Sequence, residues 1–193
     1  MKLIKDKIRK YYKYVTITTS WTQPTLSSNG TLGGDSFAVA TSDNSNTAYY
    51  AINGTGSGWI NNNVNSYYIF YNPIPLCVTQ ITFSGLYAYM SIYIKSFDLY
   101  GSNDNNSWTL IQSFSGGTEA AKTYIVNNSN SYKYYKIMAT DINYYAAIVD
   151  LYITADEQIT TIEEATSSDY DFYEDVDVYE AVKENNLYKV VKF

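Results

Sequence analysis

Histidine is absent from the 193-residue chain, Cys77 is its only cysteine and Arg9 its only arginine. Without histidine, the usual general base and the commonest imidazole metal ligand are missing. Ser–His–Asp and Cys–His nucleophile arrangements and the H-E-x-x-H and C₂H₂ zinc motifs cannot be built. One cysteine forms no internal disulfide, so a disulfide scaffold is excluded. No run approaches 18 consecutive apolar residues, so no transmembrane helix is expected. The start, Met1 to Tyr14, is basic but lacks the 7–15-residue apolar segment of a secretory signal peptide. Ile4, Ile8, Tyr11 and Tyr12 make too short a stripe for a membrane-surface helix.

Basic residues are scarce in the middle and crowded at the start. Residues 1–14 hold six basic side chains and one acid, residues 156–193 eleven acids and three lysines. Residues 15–155 hold seven acids (Asp35, Asp43, Asp98, Asp104, Glu119, Asp141, Asp150) against Lys95, Lys122, Lys133 and Lys136. Four lysines cannot build the cationic face that phosphate neutralisation requires, so no nucleic-acid partner is expected. Seven scattered carboxylates without histidine offer little acid–base chemistry, which argues against a hydrolase.

What is abundant is β chemistry. Aromatic residues make up 17% of the chain, 23 of them tyrosine, and 46% is hydrophobic, enough for a real core. The length fits one domain plus extensions, or at most two small units. Strands are expected over Tyr67–Tyr71, Val78–Phe83, Ile92–Tyr100, Trp108–Phe114, Lys122–Val126, Tyr132–Ala139 and Ile148–Thr154, between Asn/Gly/Ser/Asp clusters. Asn72-Pro73-Ile74-Pro75 should interrupt the sheet, because proline cannot donate to a ladder. Asn103-Asp104-Asn105-Asn106 is hairpin chemistry. Seven or eight short strands without a useful amphipathic helix indicate an antiparallel β-sandwich. Trp108 and Leu110 are expected to alternate inward, with Tyr135, Ile137, Leu151 and Ile153 also buried. Cys77 is read as a small buried hydrophobe.

The order of motifs is more specific than the class. Ala51-Ile52-Asn53-Gly54 precedes Trp59, then come "NPIPLCVTQITF", Tyr100-Gly101-Ser102-Asn103-Asp104 through Trp108, "YKYYKIMATD" and "AAIVDLYITA". Over about residues 34–155 this resembles the discoidin, or coagulation-factor type C, domain, an all-β jelly-roll sandwich of the galactose-binding-like fold. The resemblance implies a structural Ca²⁺ near the A-x-D-G turn, with Asn53, Thr55 (or Ser57) and Asp150 as the matching positions. Asn53 replaces the motif aspartate, so it either serves a weak Ca²⁺ site or simply hydrogen-bonds its own turn.

The resemblance also implies ligand binding by loops at one end of the sandwich. Candidates there are Asn44, Asn46, Asn62, Tyr87, Tyr89, Asn143, Tyr144 and Tyr145. Tyrosine supplies rigid amphipathic area and asparagine adaptable hydrogen bonding, which suits a neutral cell-surface glycan or a protein. Tyr and Asn are common throughout the chain, so composition alone would also place them in loops. Lipid insertion through Tyr87, Tyr89 and Met90 lacks the basic residues that anionic membranes attract.

Four segments are expected: a basic arm (1–20), the sandwich (21–155), an acidic linker (156–177) and a β-hairpin for docking (178–193). The segment before the sandwich resembles leaders of bacteriophage tail-fibre and virion accessory proteins. That resemblance implies a non-enzymatic virion fibre or decoration subunit, assembled in the host cytoplasm. Its expected partners are other virion subunits and itself, as a homo-oligomer such as a trimer. The alternative is a free-standing or enzyme-associated carbohydrate-binding module. The oppositely charged ends suit contacts between chains, or a solvated tail.

Overall fold

A computed structural model describes residues 2–43, 48–53, 55–56, 58–87, 91–183 and 186–190. Twelve strands follow in chain order: β1 Lys2–Trp21, β2 Ala38–Thr41, β3 Gly58–Asn61, β4 Tyr67–Ser84, β5 Leu86–Tyr87, β6 Ser91–Ser102, β7 Thr109–Ser115, β8 Lys122–Ile125, β9 Tyr132–Asn143, β10 Ala146–Ala165, β11 Phe172–Lys183 and β12 Asn186–Val190. One 3₁₀ turn covers Ala48–Ala51. None of the described helical segments is long and apolar enough to cross a membrane. The chain divides into two compact units, Thr18–Gln158 and a second made of Met1–Ile17 with Ile159–Phe193.

The larger unit is an antiparallel β-sandwich, and β4 belongs to both of its layers. Residues Tyr67–Tyr71 pair with β2 and β9, and β9 continues through β6 to β7. Residues 76–84 pair with β8 and β10, and β10 pairs with β3. Between them, Asn72–Pro75 makes no ladder pairs and the register shifts. The prolines therefore interrupt the pairing as expected, but the strand turns the corner between sheets instead of ending. Tyr135 fastens that corner: its hydroxyl donates to the Leu76 carbonyl (2.5 Å) and accepts from the Val78 N–H (3.2 Å).

Alternation along the strands fills the interior. Tyr68 and Phe70 from β4, Phe97 and Leu99 from β6, and Tyr135 and Ile137 from β9 meet Ile81, Phe83, Ile148, Leu151 and Ile153 of the other layer in one core. Phe70 stacks on Tyr135 with ring centroids 5.1 Å apart. Tyr135, Ile137, Leu151 and Ile153 are buried as expected, but the core tryptophan is Trp59, only 1% exposed. Trp108 is half-buried on the outer face of the first layer, and Leu110 is 51% exposed. A register shift in the β6–β7 ladder explains the inversion: Leu99 pairs with Gln112 but Tyr100 with Leu110, so Leu110 takes the outward face and Ile111 packs on the core. Asn105, at φ 58°, supplies the hairpin's left-handed residue, while Gly101 lies in β6 beneath the Tyr132 ring, where a Cβ would come within 2.3 Å of it. Cys77 is half-buried, and burial pushes its thiol pKa up.

The smaller unit is built from the two ends of the chain. β1 pairs antiparallel with β11 from Lys2↔Val182 to Tyr12↔Phe172, and β11 pairs with β12 from Tyr179↔Val190 to Lys183↔Asn186. Within the segment read as an arm, Lys2–Trp21 forms strand β1. The stretch 156–177 is strand at both ends, in β10 to Ala165 and in β11 from Phe172, rather than a linker. Within the span 178–193 read as a hairpin, β12 pairs with the end of β11 over the described residues. Opposite charges meet within the chain: Arg9 with Asp175 (2.9 Å), Lys10 with Glu164 (3.3 Å) and Lys13 with Asp169 (3.3 Å).

Candidate functional site: the loop end of the sandwich

Strand registers decide which loops share an end. Asn61 pairs with Ala146, so Asn62 emerges beside Tyr145. Tyr93 pairs with Asn143, whose Nδ2 donates to the Ser91 carbonyl (2.5 Å). Asn65 N–H donates to the Ala139 carbonyl (2.8 Å), and Ser42 N–H to the Tyr67 carbonyl (3.0 Å). Asn62, Asn143, Tyr144 and Tyr145 are therefore gathered at one end. Leu86 and Tyr87 of β5 pair with β6 at the same end. Asn44, Asn46 and Tyr89 lie outside the described residues.

Tyr144 is the most distinctive member. It sits at φ 62°, a left-handed conformation unusual for a bulky residue and tolerated only where surrounding structure enforces it. The enforcing contact is the Tyr145 N–H donating to the Asn143 carbonyl (2.8 Å) across it. The result is an aromatic ring left 66% exposed between Asn143 and Tyr145. Beneath this end, Asp43 accepts from Thr41 Oγ1 (2.5 Å) and from the indole N–H of buried Trp59 (3.4 Å), which ties the loop after β2 to the core. The exposed groups are the Tyr144 ring and the Asn62 amide, while half-buried Asn143 donates through its Nδ2 to the Ser91 carbonyl.

The calcium positions behave differently from one another. Asn53 Oδ1 accepts from Thr55 N–H (3.1 Å) and Thr55 Oγ1 (2.6 Å), so it is engaged in its own turn. Asp150 lies at a ladder irregularity with φ 49°, and its buried Oδ1 has no hydrogen-bond partner. Gly58 pairs with Val149, which brings the strand following the 53–57 loop alongside Asp150's neighbour. Among the described residues no group of three or more acidic, Cys or His side chains is placed to hold a metal. An orphaned carboxylate oxygen beside a loop rich in neutral oxygens fits Ca²⁺, which accepts carbonyl, amide and hydroxyl ligands.

A second concavity was not anticipated from the sequence. About 310 Å³ in volume, it opens on the outer face of the first layer, lined by Leu32, Ala40, Thr41, Tyr67, Ile69, Asn105, Trp108 and Lys136. The signal was the alternation Tyr134-Tyr135-Lys136-Ile137: if Tyr135 and Ile137 face the core, Tyr134 and Lys136 face outward.

These features together define a discoidin, or F5/8 type C, fold, and solved structures carry it. The CBM32 module of AlyQ in complex with 4,5-unsaturated mannuronic acid aligns with a TM-score of 0.51 at 18% identity, over 61% of this chain and 92% of that one. Truncated AlyQ with CBM32 and alginate lyase domains aligns at 0.51 and 23% identity, over 61% of this chain and only 32% of that one. The F5/8 type C domain of a Bacteroides fragilis protein aligns at 0.51 and 13% identity, over 61% and 90%. No protein-family model and no curated protein matches the sequence.

Proposed function

We propose that this chain is a non-enzymatic carbohydrate-binding module that holds a neutral glycan at the loop end of its sandwich. The observation carrying this reading is Tyr144, a ring held outward on a strained backbone between Asn143 and Tyr145 and beside Asn62. A sugar's C–H face packs on such a ring while the amides bond its hydroxyls. A neighbour of the same fold holds a sugar, 4,5-unsaturated mannuronic acid, which supports a carbohydrate ligand; neutrality rests on the uncharged side chains of this loop end. Bound Ca²⁺ would be held by Asp150, whose Oδ1 is unpartnered, and would take Asn53 and Thr55 only by displacing the hydrogen bonds between them.

The smaller unit supports a second element of the reading, attachment to other chains. It leaves Ile8, Tyr14, Ile162 and Tyr173 exposed, apolar area of the kind that subunit contacts cover. A virion fibre or decoration subunit, self-associated and presenting the sandwich to a host glycan, is the setting this suits. Titrating the protein with galactose, N-acetylgalactosamine and glucose while recording ¹⁵N–¹H spectra tests the ligand. Shifts should centre on Asn62 and Asn143–Tyr145 and vanish in Tyr144→Ala; a panel without any shift there overturns the reading. Size-exclusion chromatography with light scattering tests assembly, a monomer at all concentrations arguing for a free module.

A further inference from the structure

We infer that the cleft between Trp108, Tyr67 and Lys136 is a second binding site, selective for a sugar bearing a carboxylate. Its saccharide class rests on the carbohydrate reading above; its preference for an acid rests on this cleft alone.

The cleft is built on the outer face of β2, β4 and β9. Ala40 and Ile69 line it with apolar surface, together with Leu32, Tyr67 and Trp108, and Asn105 adds an amide. A volume of about 310 Å³ is at the lower end of small-ligand cavities, roughly 300–1,000 Å³. Lys136 is the only charged group in the lining. Its Nζ lies 4.2 Å from the Trp108 ring centroid, 5.0 Å from Tyr100 and 5.7 Å from Tyr67, a cage of three rings.

What the cage lacks is an anion. Three carboxylates of the surrounding elements, Asp104, Asp98 and Asp43, are engaged elsewhere. Asp104 accepts from Asn106 N–H (2.8 Å), Ser107 N–H (2.7 Å) and Ser102 Oγ (2.9 Å) within its own hairpin. Asp98 accepts from Ser113 Oγ (2.6 Å) and Tyr100 OH (3.3 Å), and Asp43 from Thr41 and Trp59. Among the described residues, Lys136 takes part in none of the ion pairs of Arg9, Lys10, Lys13 and Lys95. Burial has already lowered the Lys136 pKa, the mark of a cation short of solvent and of a counter-charge. A ring-stacked ammonium keeps its N–H donors, and a carboxylate entering beside Trp108 would supply the missing partner as a charge-assisted hydrogen bond. A neutral sugar could use the ring and the amide but would leave that cation uncompensated.

Glucuronate and glucose differ only at C6, so they isolate the charge. With the full chain, glucuronate should shift the Trp108 indole N–H and the Lys136 backbone amide, while glucose shifts them far less, and added salt should weaken only the glucuronate response. Lys136→Met keeps an unbranched apolar stem under the ring and should weaken glucuronate binding about tenfold or more, the scale of a lost charge-assisted bond. Lys136→Arg should retain it. The Lys136→Met spectrum elsewhere must remain native; if it does not, Lys136→Gln with the same readout replaces it. Tyr144→Ala should leave the glucuronate response intact. Equal response to both sugars, no response at Trp108, or unchanged affinity in Lys136→Met or Lys136→Gln overturns the inference. If Trp108 responds to glucuronate but the loop end to no neutral sugar, this site stands and the loop-end reading fails. The reverse pattern leaves the loop-end reading alone standing.

Discussion

The two compact units hold their strands by different means. In the sandwich, rings and branched side chains from two layers bury one another, and a tyrosine hydroxyl locks the corner strand. In the terminal sheet the long β1–β11 ladder is decorated with exposed ion pairs and edge-on rings, such as Tyr11 against Tyr170 (4.8 Å) and Arg9 over Tyr173 (4.0 Å). Burial is worth kilocalories per side chain, whereas exposed ion pairs contribute little and are screened by salt. A mutation of similar chemistry should therefore matter in one unit and hardly in the other.

The sharpest test removes the core tryptophan. Trp59→Ala should cost about 3–5 kcal/mol and lower the melting temperature of the sandwich by about 10 °C or more. Trp108→Ala, at a half-exposed ring, should cost about 1 kcal/mol. Equal losses in calorimetry would mean the outer face is as dry as the core.

Tyr135→Phe comes next. It strands the Leu76 carbonyl and the Val78 N–H in a buried corner, at a cost of about 1–3 kcal/mol in denaturant unfolding. The same hydroxyl sets an alkaline limit. Burial pushes the Tyr135 and Tyr68 hydroxyls above their ordinary range, so the unfolded chain ionises first. Stability should be flat below pH about 10, the ordinary tyrosine value, and fall as pH rises beyond it. Tyr135→Phe should flatten part of that fall.

Calcium is the third test. At ten times its Kd, Ca²⁺ should stabilise the sandwich by about 1.4 kcal/mol, and Asp150→Asn should abolish the increase. An identical melt in excess Ca²⁺ and in chelator retires the site.

The smallest effect belongs to the terminal sheet. The Arg9 pairing holds Asp175 below the ordinary carboxylate pKa, so that contribution is present above the unfolded value and lost as pH falls through the folded one. Arg9→Gln should leave the sandwich melt unchanged while speeding amide exchange in β1 and β11. A global loss of stability would show that the two units do not differ as described.

The strands of the sandwich from Tyr67 onward, their alternation and the fold class were legible because period-2 patterning and turn residues are local signals. Two things were not. The arm and the acidic stretch read as unstructured because each is too polar to bury a core alone; their pairing over more than 150 residues of separation is invisible to any local window. Trp108 read as core because a large apolar ring is usually packed, and what overrode that was a register shift between β6 and β7, which no residue type in the stretch announces. Among site residues, the register of β3 with β10 and of β6 with β9 brought Asn62 and Asn143–Tyr145 together; spacing in sequence gave no register. The engagement of Asn53 by Thr55 was one of the two outcomes the residues allowed.

The double membership of β4 also sets a clock. Of its partners only β2 precedes it; β8, β9 and β10 all follow, and the pairing with β10 reaches Glu157. At about 5–20 residues per second, the ribosome needs roughly 4–15 s to deliver the missing partners after Ser84 emerges. Until each partner arrives, the stretch of the apolar strand that it will cover waits with a bare edge, the condition under which nascent chains stick to one another. Pro73 and Pro75 stand in the middle of it, splitting the waiting strand into two pieces that resist stacking in register with other copies. The corner that joins the finished layers is thus also a guard for the unfinished chain.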